Sequence, residues 1–487
     1  MLKILFNQYF WLGVILLMAF LVRLYKIDAP IADWHSWRQA DTAAVTRNFI
    51  KTGFNPFLPK FDDMSGIAEN PLINLNHLRF VEFPTYNIAV YPFYLLIGVN
   101  EVYHRLVSLL FSLGSIIFVF LIAKRYLGVV TTLLSALIFA LLPFNVFFSR
   151  TTLPEPTFIF FALGMVYFVD RWIWEGRRIW GIWGFVFTTA SFLVKPWAIF
   201  FVPPLVYSAI KKEGIGESLK YLFFFIAALL PFIFWRLWIL QQPEGIPASN
   251  WLLNGDGIRF RPAFFWWIIS ERLGREILGT TGLVLAFIGI IAKLESRSLF
   301  FHIWLLSMGA YLIILATGNV THNYYQLMII PILSIFLARG FVYLFKGNKD
   351  FIPRIWTVPL AIFLLLSSFY FTYKIDKEFY KINNPQIVEA GKMADRILPK
   401  DAVVLAPYNG DTAFLYQLNR PGFPNAPLPL KQLVSDYSVT HYVSVNFDEK
   451  TNWVKRHFEI IFENEKFVIA DLTKIKSPLD DILDAEP

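Results

Sequence analysis

Long apolar runs separated by short polar loops dominate the chain. They fall at 9–25, 102–123, 129–148, 156–174, 180–194, 197–210, 219–240, 277–292, 299–317, 324–345 and 355–373. A helix crosses a hydrocarbon core of about 30 Å with about 20 apolar residues, so the pattern predicts an all-α polytopic membrane bundle. The run 197–210 is short for a span and is expected to be tilted or broken. The first run lacks a small-residue cleavage site and reads as a retained anchor. A further run, 85–98, is apolar and aromatic but interrupted by Pro92.

Charge in the loops decides how that run is read. Short basic loops contain Lys124-Arg125, Arg177-Arg178, Lys211-Lys212, Lys293 with Arg297, and Lys346 with Lys349. If 85–98 does not cross, all five fall on the cytoplasmic side and the chain crosses 11 times, as the positive-inside rule favours. If it crosses, all five move outside. The run is therefore expected to be re-entrant or to lie along the surface. The outer face then receives the segment 26–100, the loops at 150–155, Lys195-Pro196, 241–276 and 318–323, and the C-terminal tail.

The tail changes character. Asn384-Pro385 suits the start of a helix running to about Leu398. A strand at 402–406, a helix at 412–418 and strands near 441–445 and 467–472 follow, with 421–429 as the longest loop. The predicted organisation is a transmembrane catalytic domain at 1–373, whose first outer loop at 26–100 has interfacial helices, and a small extracytoplasmic α/β domain at 374–487.

Composition agrees with that architecture. Of 487 residues, 56% are apolar and only 16% charged, against about 25% charged in soluble domains. With no cysteine, disulfides and thiolate metal sites are excluded. Residues 1–373 carry 30 Lys+Arg against 19 Asp+Glu, and the rest 14 against 17. The basic surplus thus belongs to the membrane part, where it suits cytoplasmic loops and anionic lipid rather than nucleic acid.

Candidate chemistry gathers on the outer face. In Ser36-Trp37-Arg38-Gln39-Ala40-Asp41, Ser36 and Gln39 have capping-box spacing, predicting a helix start. Trp37, Asp41 and Val45 share one face, and partial burial there would raise Asp41 toward the basicity of a general base. The alternative is a surface helix with Asp41 solvated. Glu82, before Pro84, is the second acid. The two can hold a divalent cation or flank an acceptor, or pair with Arg38 or Arg79. Arg150, Lys195, Arg272, Arg275, His322 and Tyr324 supply cations and hydroxyls suited to a phosphate group, unless they snorkel to water. Glu155 is expected to pair with Arg150. His35, His77 and His322 lack zinc-ligand spacing.

At these residues the chain resembles the glycosyltransferase C superfamily, specifically family 39-like proteins of the dolichyl-phosphate-mannose–protein mannosyltransferase and aminoarabinose transferase type. The matching pieces are Trp37-Arg38-Gln39-Ala40-Asp41-Thr42-Ala43, Glu82-Phe83-Pro84, Ser149-Arg150 with Pro154-Glu155-Pro156, Lys195-Pro196, His322-Asn323-Tyr324-Tyr325-Gln326-Leu327 and Ala338-Arg339-Gly340. The resemblance implies an inverting enzyme that moves a sugar from a polyprenyl-phosphate carrier to a glycan, lipid or protein acceptor on the outer face of the plasma (inner) membrane. It implies Asp41 as the acceptor's base, Glu82 as the acid of the second motif, and Tyr324 near the carrier phosphate. Arg38, Arg47, Arg150, Glu155, Lys195, His322 and Tyr325 complete the expected carrier or sugar contacts. Thr42 stands where many relatives have a second acid, and Phe83 where aminoarabinose transferases have lysine.

A leaving phosphate needs no proton and a carrier-linked sugar needs no nucleotide loop, so this reading fits a chain without a Gly-rich phosphate motif. The residues call for no cofactor beyond a divalent cation that Asp41 and Glu82 are able to hold. The alternative function is a transporter or flippase of lipid-linked glycans. Transporters more often scatter polar groups at midplane between repeated halves, and no internal repeat is evident here.

Overall fold

The computed structural model describes residues 7–67, 70–293, 298–347 and 353–476. Arg297, Lys349 and the stretch 477–487 lie outside the described residues. The chain divides into two compact units. The first comprises Met1–Ile27, Arg105–Leu237 and Ser249–Tyr380, and the second Asp28–His104, Trp238–Ala248 and Lys381–Pro487.

Every expected apolar run is helical. Among the described residues six helical stretches are long and apolar enough to cross a membrane: Glu101–Tyr126, Glu155–Glu175, Pro196–Ile239, Pro262–Ile291, Asn323–Lys346 and Arg354–Tyr380. Shorter apolar helices are Gln8–Arg23, Thr85–Ile97, Val129–Leu141, Arg178–Val194 and Phe300–Ile314. At 13 residues Thr85–Ile97 is about 20 Å long, too short to cross on its own.

Several runs are broken where local chemistry requires it. The run 129–148 becomes two helices, Val129–Leu141 and Pro143–Phe148, because the residue before Pro143 cannot stay helical. The run 197–210 begins as the 3-10 turn Pro196–Phe201 and continues into Pro203–Ile239, which is interrupted at Gly214 (φ 83°, ψ 171°). That left-handed φ costs a glycine little. The first unit has one extensive apolar core in which Phe144, Phe147, Phe158, Trp304 and Tyr311 are fully buried.

The second unit is built around a five-stranded sheet. Its strands are β1 (Val404–Leu405), β2 (Gly422–Phe423), β3 (His441–Ser444), β4 (Phe458–Glu463) and β5 (Val468–Ile475), in the order β2-β1-β3-β5-β4. β1 runs parallel to β2 and β3, whereas β5 is antiparallel to β3 and β4. Sequence patterning anticipates the β1, β3 and β5 regions. It misses β4, whose alternate residues are exposed, and places β2 inside the expected 421–429 loop. A two-residue strand flanked by prolines carries no periodicity to read. The expected helix at Asn384-Pro385 begins at Gln386, with Asn384 Oδ1 accepting the Gln386 amide at 3.1 Å.

The first loop is woven into this domain. The Met64 amide donates to the Gly422 carbonyl at 2.8 Å, and the Gly422 amide to the Asp62 carbonyl at 2.9 Å, which pairs the outer edge of β2. A Cβ at Gly422 would lie 1.9 Å from the Val404 carbonyl oxygen, so only glycine fits. The Ser36–Thr52 helix contributes Ala40, Ala43, Ala44, Val45 and Phe49 to one core with Ile387, Ala394, Val404, Phe414, Leu418, Val443 and Ile469. Asn87 Nδ2 ties the Thr85–Ile97 helix to the Thr42 carbonyl at 2.6 Å and to Thr46 Oγ1 at 2.8 Å.

Arg47, expected among the carrier contacts, is committed inside this core. It pairs with Asp62, donates to the Tyr416 carbonyl at 2.8 Å, and lies over the Tyr416 ring at 4.2 Å. Removing one partner of a buried pair costs about 3–5 kcal/mol. Arg47→Met should therefore lower the thermal midpoint of the purified protein and open the tail to limited proteolysis; a tail as resistant as that of the wild type would contradict this assignment.

Candidate active site

The Ser36–Thr52 helix starts where its sequence predicts, but the expected capping box does not form. His35 occupies the N-cap with a left-handed backbone (φ 56°) and no side-chain cap bond. Gln39 instead donates to Asp33 Oδ1 at 2.6 Å and to the Trp34 carbonyl at 2.9 Å, and Ser36 Oγ donates to Asp411 at 3.2 Å. Long-range partners outcompete the local cap. Nor is this a surface helix with a solvated acid: every residue from Arg38 to Phe49 is buried.

Asp41 is 9% exposed and Glu82 8%. Glu82 Oε2 accepts Arg38 Nη2 at 2.6 Å, and its Oε1 accepts Arg79 Nη1 at 3.1 Å. The Nε of the same Arg79 lies 3.6 Å from Asp41 Oδ2. The other Asp41 oxygen, Oδ1, accepts Thr412 Oγ1 at 2.5 Å. The two sequence-predicted acids therefore meet through one guanidinium. Arg38 faces Glu82 rather than closing an ion pair with its helix neighbour Asp41.

The electrostatics favour a basic Asp41. Burial pushes its carboxyl well above the usual carboxylate range. The Thr412 hydrogen bond opposes that, Asp63 adds to it, Arg38 opposes it, and Asp411 adds to it. Burial likewise raises Asp63 to about 6, against its hydrogen bonds from Ser65, and raises Asp411 against bonds from Ala413 and Ser36. A carboxyl so placed binds a proton more readily than a solvated one, as a general base must.

The expected divalent cation does not suit these residues. Both Glu82 oxygens are occupied by guanidinium donors, and Asp41 has Arg79 Nε 3.6 Å away, so a metal ion would enter a site already beside two guanidinium charges. Among the described residues no group of three or more His, Asp or Glu is gathered as a metal would require.

The remaining predicted residues belong to the other unit. Glu155, fully buried, pairs with Lys195 and not with Arg150. Arg150 instead donates to the Lys26 carbonyl at 2.8 Å and lies over the Tyr380 ring at 4.6 Å. Proline on both sides of Glu155 fixes the start of its helix, and that position faces Lys195 in the extended residue between two helical segments. Lys195 Nζ is 5.1 Å from the Tyr325 ring centre and 6.0 Å from that of Tyr324. His322, Tyr324 and Tyr325 form a stack, with centroids 5.4 Å apart for His322–Tyr324 and 5.0 Å for Tyr324–Tyr325. The buried Lys195 ammonium, paired with Glu155, thus sits beside stacked aromatic faces that favour a cation.

Thr412, Asp411 and Asp63 carry no site signal in the sequence, whereas Arg79 is expected as a pairing partner of the acids and is one. Arg79 had a readable signal, three residues before Glu82. Thr412 had none, lying 371 residues from its partner.

Comparison with known proteins follows the same lines. Residues 84–238 match the family of dolichyl-phosphate-mannose-protein mannosyltransferases. Among solved structures, ArnT from Cupriavidus metallidurans bound to undecaprenyl phosphate matches with a TM-score of 0.64 and 12% identity, over 95% of this chain and 98% of that one. The oligosaccharyltransferase AglB from Archaeoglobus fulgidus, in complex with an inhibitory peptide and a dolichol-phosphate, matches with a TM-score of 0.56 and 11% identity, over 90% and 69%. The arabinofuranosyltransferase AftD from Mycobacteria matches with a TM-score of 0.58 and 13% identity, over 95% and 40%. At such identities the likeness is one of fold: a multi-pass membrane bundle with a C-terminal sheet domain. Comparison with curated proteins gives no match.

Glu82 is the shared counter-charge for two buried guanidinium groups, so its removal should be costly. Glu82→Gln is expected to destabilise the protein by about 3–5 kcal/mol, read as a lowered thermal midpoint. An unchanged midpoint would show that Arg38 and Arg79 are neutralised by other groups.

Proposed function

We propose that this chain, whose residues 84–238 match the dolichyl-phosphate-mannose-protein mannosyltransferase family, is a polyprenyl-phosphate-sugar glycosyltransferase that transfers the sugar with inversion to a hydroxyl or amine acceptor on the outer face of the membrane. The observation that carries the reading is the buried Asp41, one oxygen held by Thr412 and the other beside Arg79 at 3.6 Å.

The chemistry follows from these groups. The acceptor's O–H or N–H approaches Asp41, which takes the proton as the acceptor's lone pair attacks the anomeric carbon. The bond from that carbon to the phosphate oxygen breaks, its electron pair leaves with the polyprenyl phosphate, and the configuration inverts because attack and departure take opposite faces. Phosphate is stable as an anion, so no second carboxyl need act as an acid, unlike glycoside hydrolysis. Glu82 acts as a positioning residue by holding Arg38 and Arg79. Lys195, with Arg150, Tyr324 and Tyr325, supplies cationic and hydroxyl groups suited to the carrier phosphate. The basic loops at Lys124-Arg125, Arg177-Arg178 and Lys211-Lys212 support a cytoplasmic face opposite the Asp41-bearing loop. Glycan, lipid and protein acceptors each offer a nucleophile that Asp41 can deprotonate.

Two outcomes test the reading. Asp41→Asn should reduce release of polyprenyl phosphate, scored across a panel of polyprenyl-phosphate sugars, by roughly 10²–10⁴-fold while the protein stays folded. Full turnover in that variant would remove Asp41 as the base, and passage of intact lipid-linked glycan across vesicles without carrier release would favour a flippase. In the wild type, the rate should fall as pH drops through the raised Asp41 value, with its half-point above the solvated range near 4. A rate still flat at pH 4 would contradict a buried carboxylate base.

A further inference from the structure

Asp411 and Thr412 lie in the tail domain and open the Ala413–Leu418 helix. Asp411 is anchored from two sides, its Oδ1 accepting the Ala413 amide at 2.7 Å and its Oδ2 accepting Ser36 Oγ at 3.2 Å. Thr412 Oγ1 points at Asp41 Oδ1 at 2.5 Å. The Thr412 main chain is fixed by that helix, so this hydroxyl is held by packed backbone and not by a mobile loop.

From this geometry we infer that the tail domain is a working part of the active site: Thr412 is a positioning residue that fixes Asp41 Oδ1 and leaves Oδ2 as the oxygen that takes the acceptor's proton, while Asp411, bonded to Ser36 of the Asp41 helix, adds a carboxyl at the start of that helix. The inference rests on the reading of Asp41 as the base. A carboxylate with one oxygen tied rotates less about its last bond, so its free lone pair keeps one direction. Oδ2 faces Arg79 at 3.6 Å, beyond ordinary hydrogen-bond length, so it is not consumed by that partner.

The two tail residues act on Asp41 in opposite senses. A hydrogen bond donated to the carboxylate favours its charged form, whereas a neighbouring carboxylate disfavours it. The other charged groups facing Asp41 are Arg38 on its own helix, Arg79, itself paired with Glu82, and Asp63 from the loop. None of these is altered by a change at 411 or 412.

The test uses the full chain in lipid, with carrier release followed against pH. Thr412→Val should lower kcat and move the acid limb to higher pH by roughly half a unit or more. Thr412→Ser, which keeps the hydroxyl, should restore both the rate and the limb. Asp411→Asn should move the limb to lower pH, since its amide oxygen still accepts the Ala413 amide but the charge is gone. Limbs unmoved in both variants, with thermal midpoints preserved, would overturn the inference. A faster Thr412→Val enzyme would also overturn it, by showing that the hydroxyl occupies the acceptor's place. Should Thr412→Val fail to fold, the opposite shift in Asp411→Asn and the Thr412→Ser profile still decide. Asp41→Asn separates the two levels: activity retained there defeats the base itself, whereas activity lost there with unmoved limbs at 411 and 412 defeats only the role of the tail.

Discussion

One carboxylate, Glu82, stands between two guanidinium groups that the fold has removed from water, and the arrangement around Asp41 depends on it. Stripping water from a charge costs several kcal/mol, so neither Arg38 nor Arg79 could be buried without a counter-charge in reach. Glu82 engages the Nη edges of both. That leaves the Nε edge of Arg79 turned toward Asp41 at a distance that attracts without neutralising. The result is a carboxyl held close to positive charge yet with raised proton affinity, because burial and the neighbouring acids outweigh the cations around it. Phe83 follows Glu82 in the chain, and the phosphate-directed cation expected there in some relatives is absent, so cationic character near the second motif comes from these arginines.

Much of this was legible in the chain. Each apolar run located a helix because membrane solvation leaves little choice of structure, whereas the helical segment Pro262–Leu278 falls in what was expected to be the outer loop 241–276. Asp41 and Glu82 stood out because an acid beside aromatic or apolar sequence needs a reason to be there. Contacts without local signal were not legible. Glu155 sits five residues from Arg150 and was expected to pair with it, but the prolines around Glu155 aim it at Lys195. Ser36 and Gln39 have capping spacing, yet Asp411 and Asp33 offered stronger partners once the helix was buried. Arg47 looked like a ligand cation and is a structural one, because Asp62 and Tyr416 surround it.

The breaks in the bundle carry the same lesson. Leu142-Pro143 and Gly214 split runs that look continuous by hydropathy, since hydropathy measures solvation and not backbone freedom. A fold shared at 12% identity over 95% of this chain is what such constraints produce. Spans are specified by solvation and by a few proline and glycine breaks, and most other side chains are free to differ.

The lacing of the 36–52 helix into the sheet domain has a consequence for how the molecule is made. Asp41 leaves the ribosome 371 residues ahead of the hydroxyl that hydrogen-bonds it, which at about 5–20 residues per second amounts to tens of seconds. Until the tail has emerged and its sheet has closed, the loop helix lacks the apolar partners that bury it, and its acid remains hydrated. The buried setting of Asp41 is thus completed only after the sheet strands through β5 have been made.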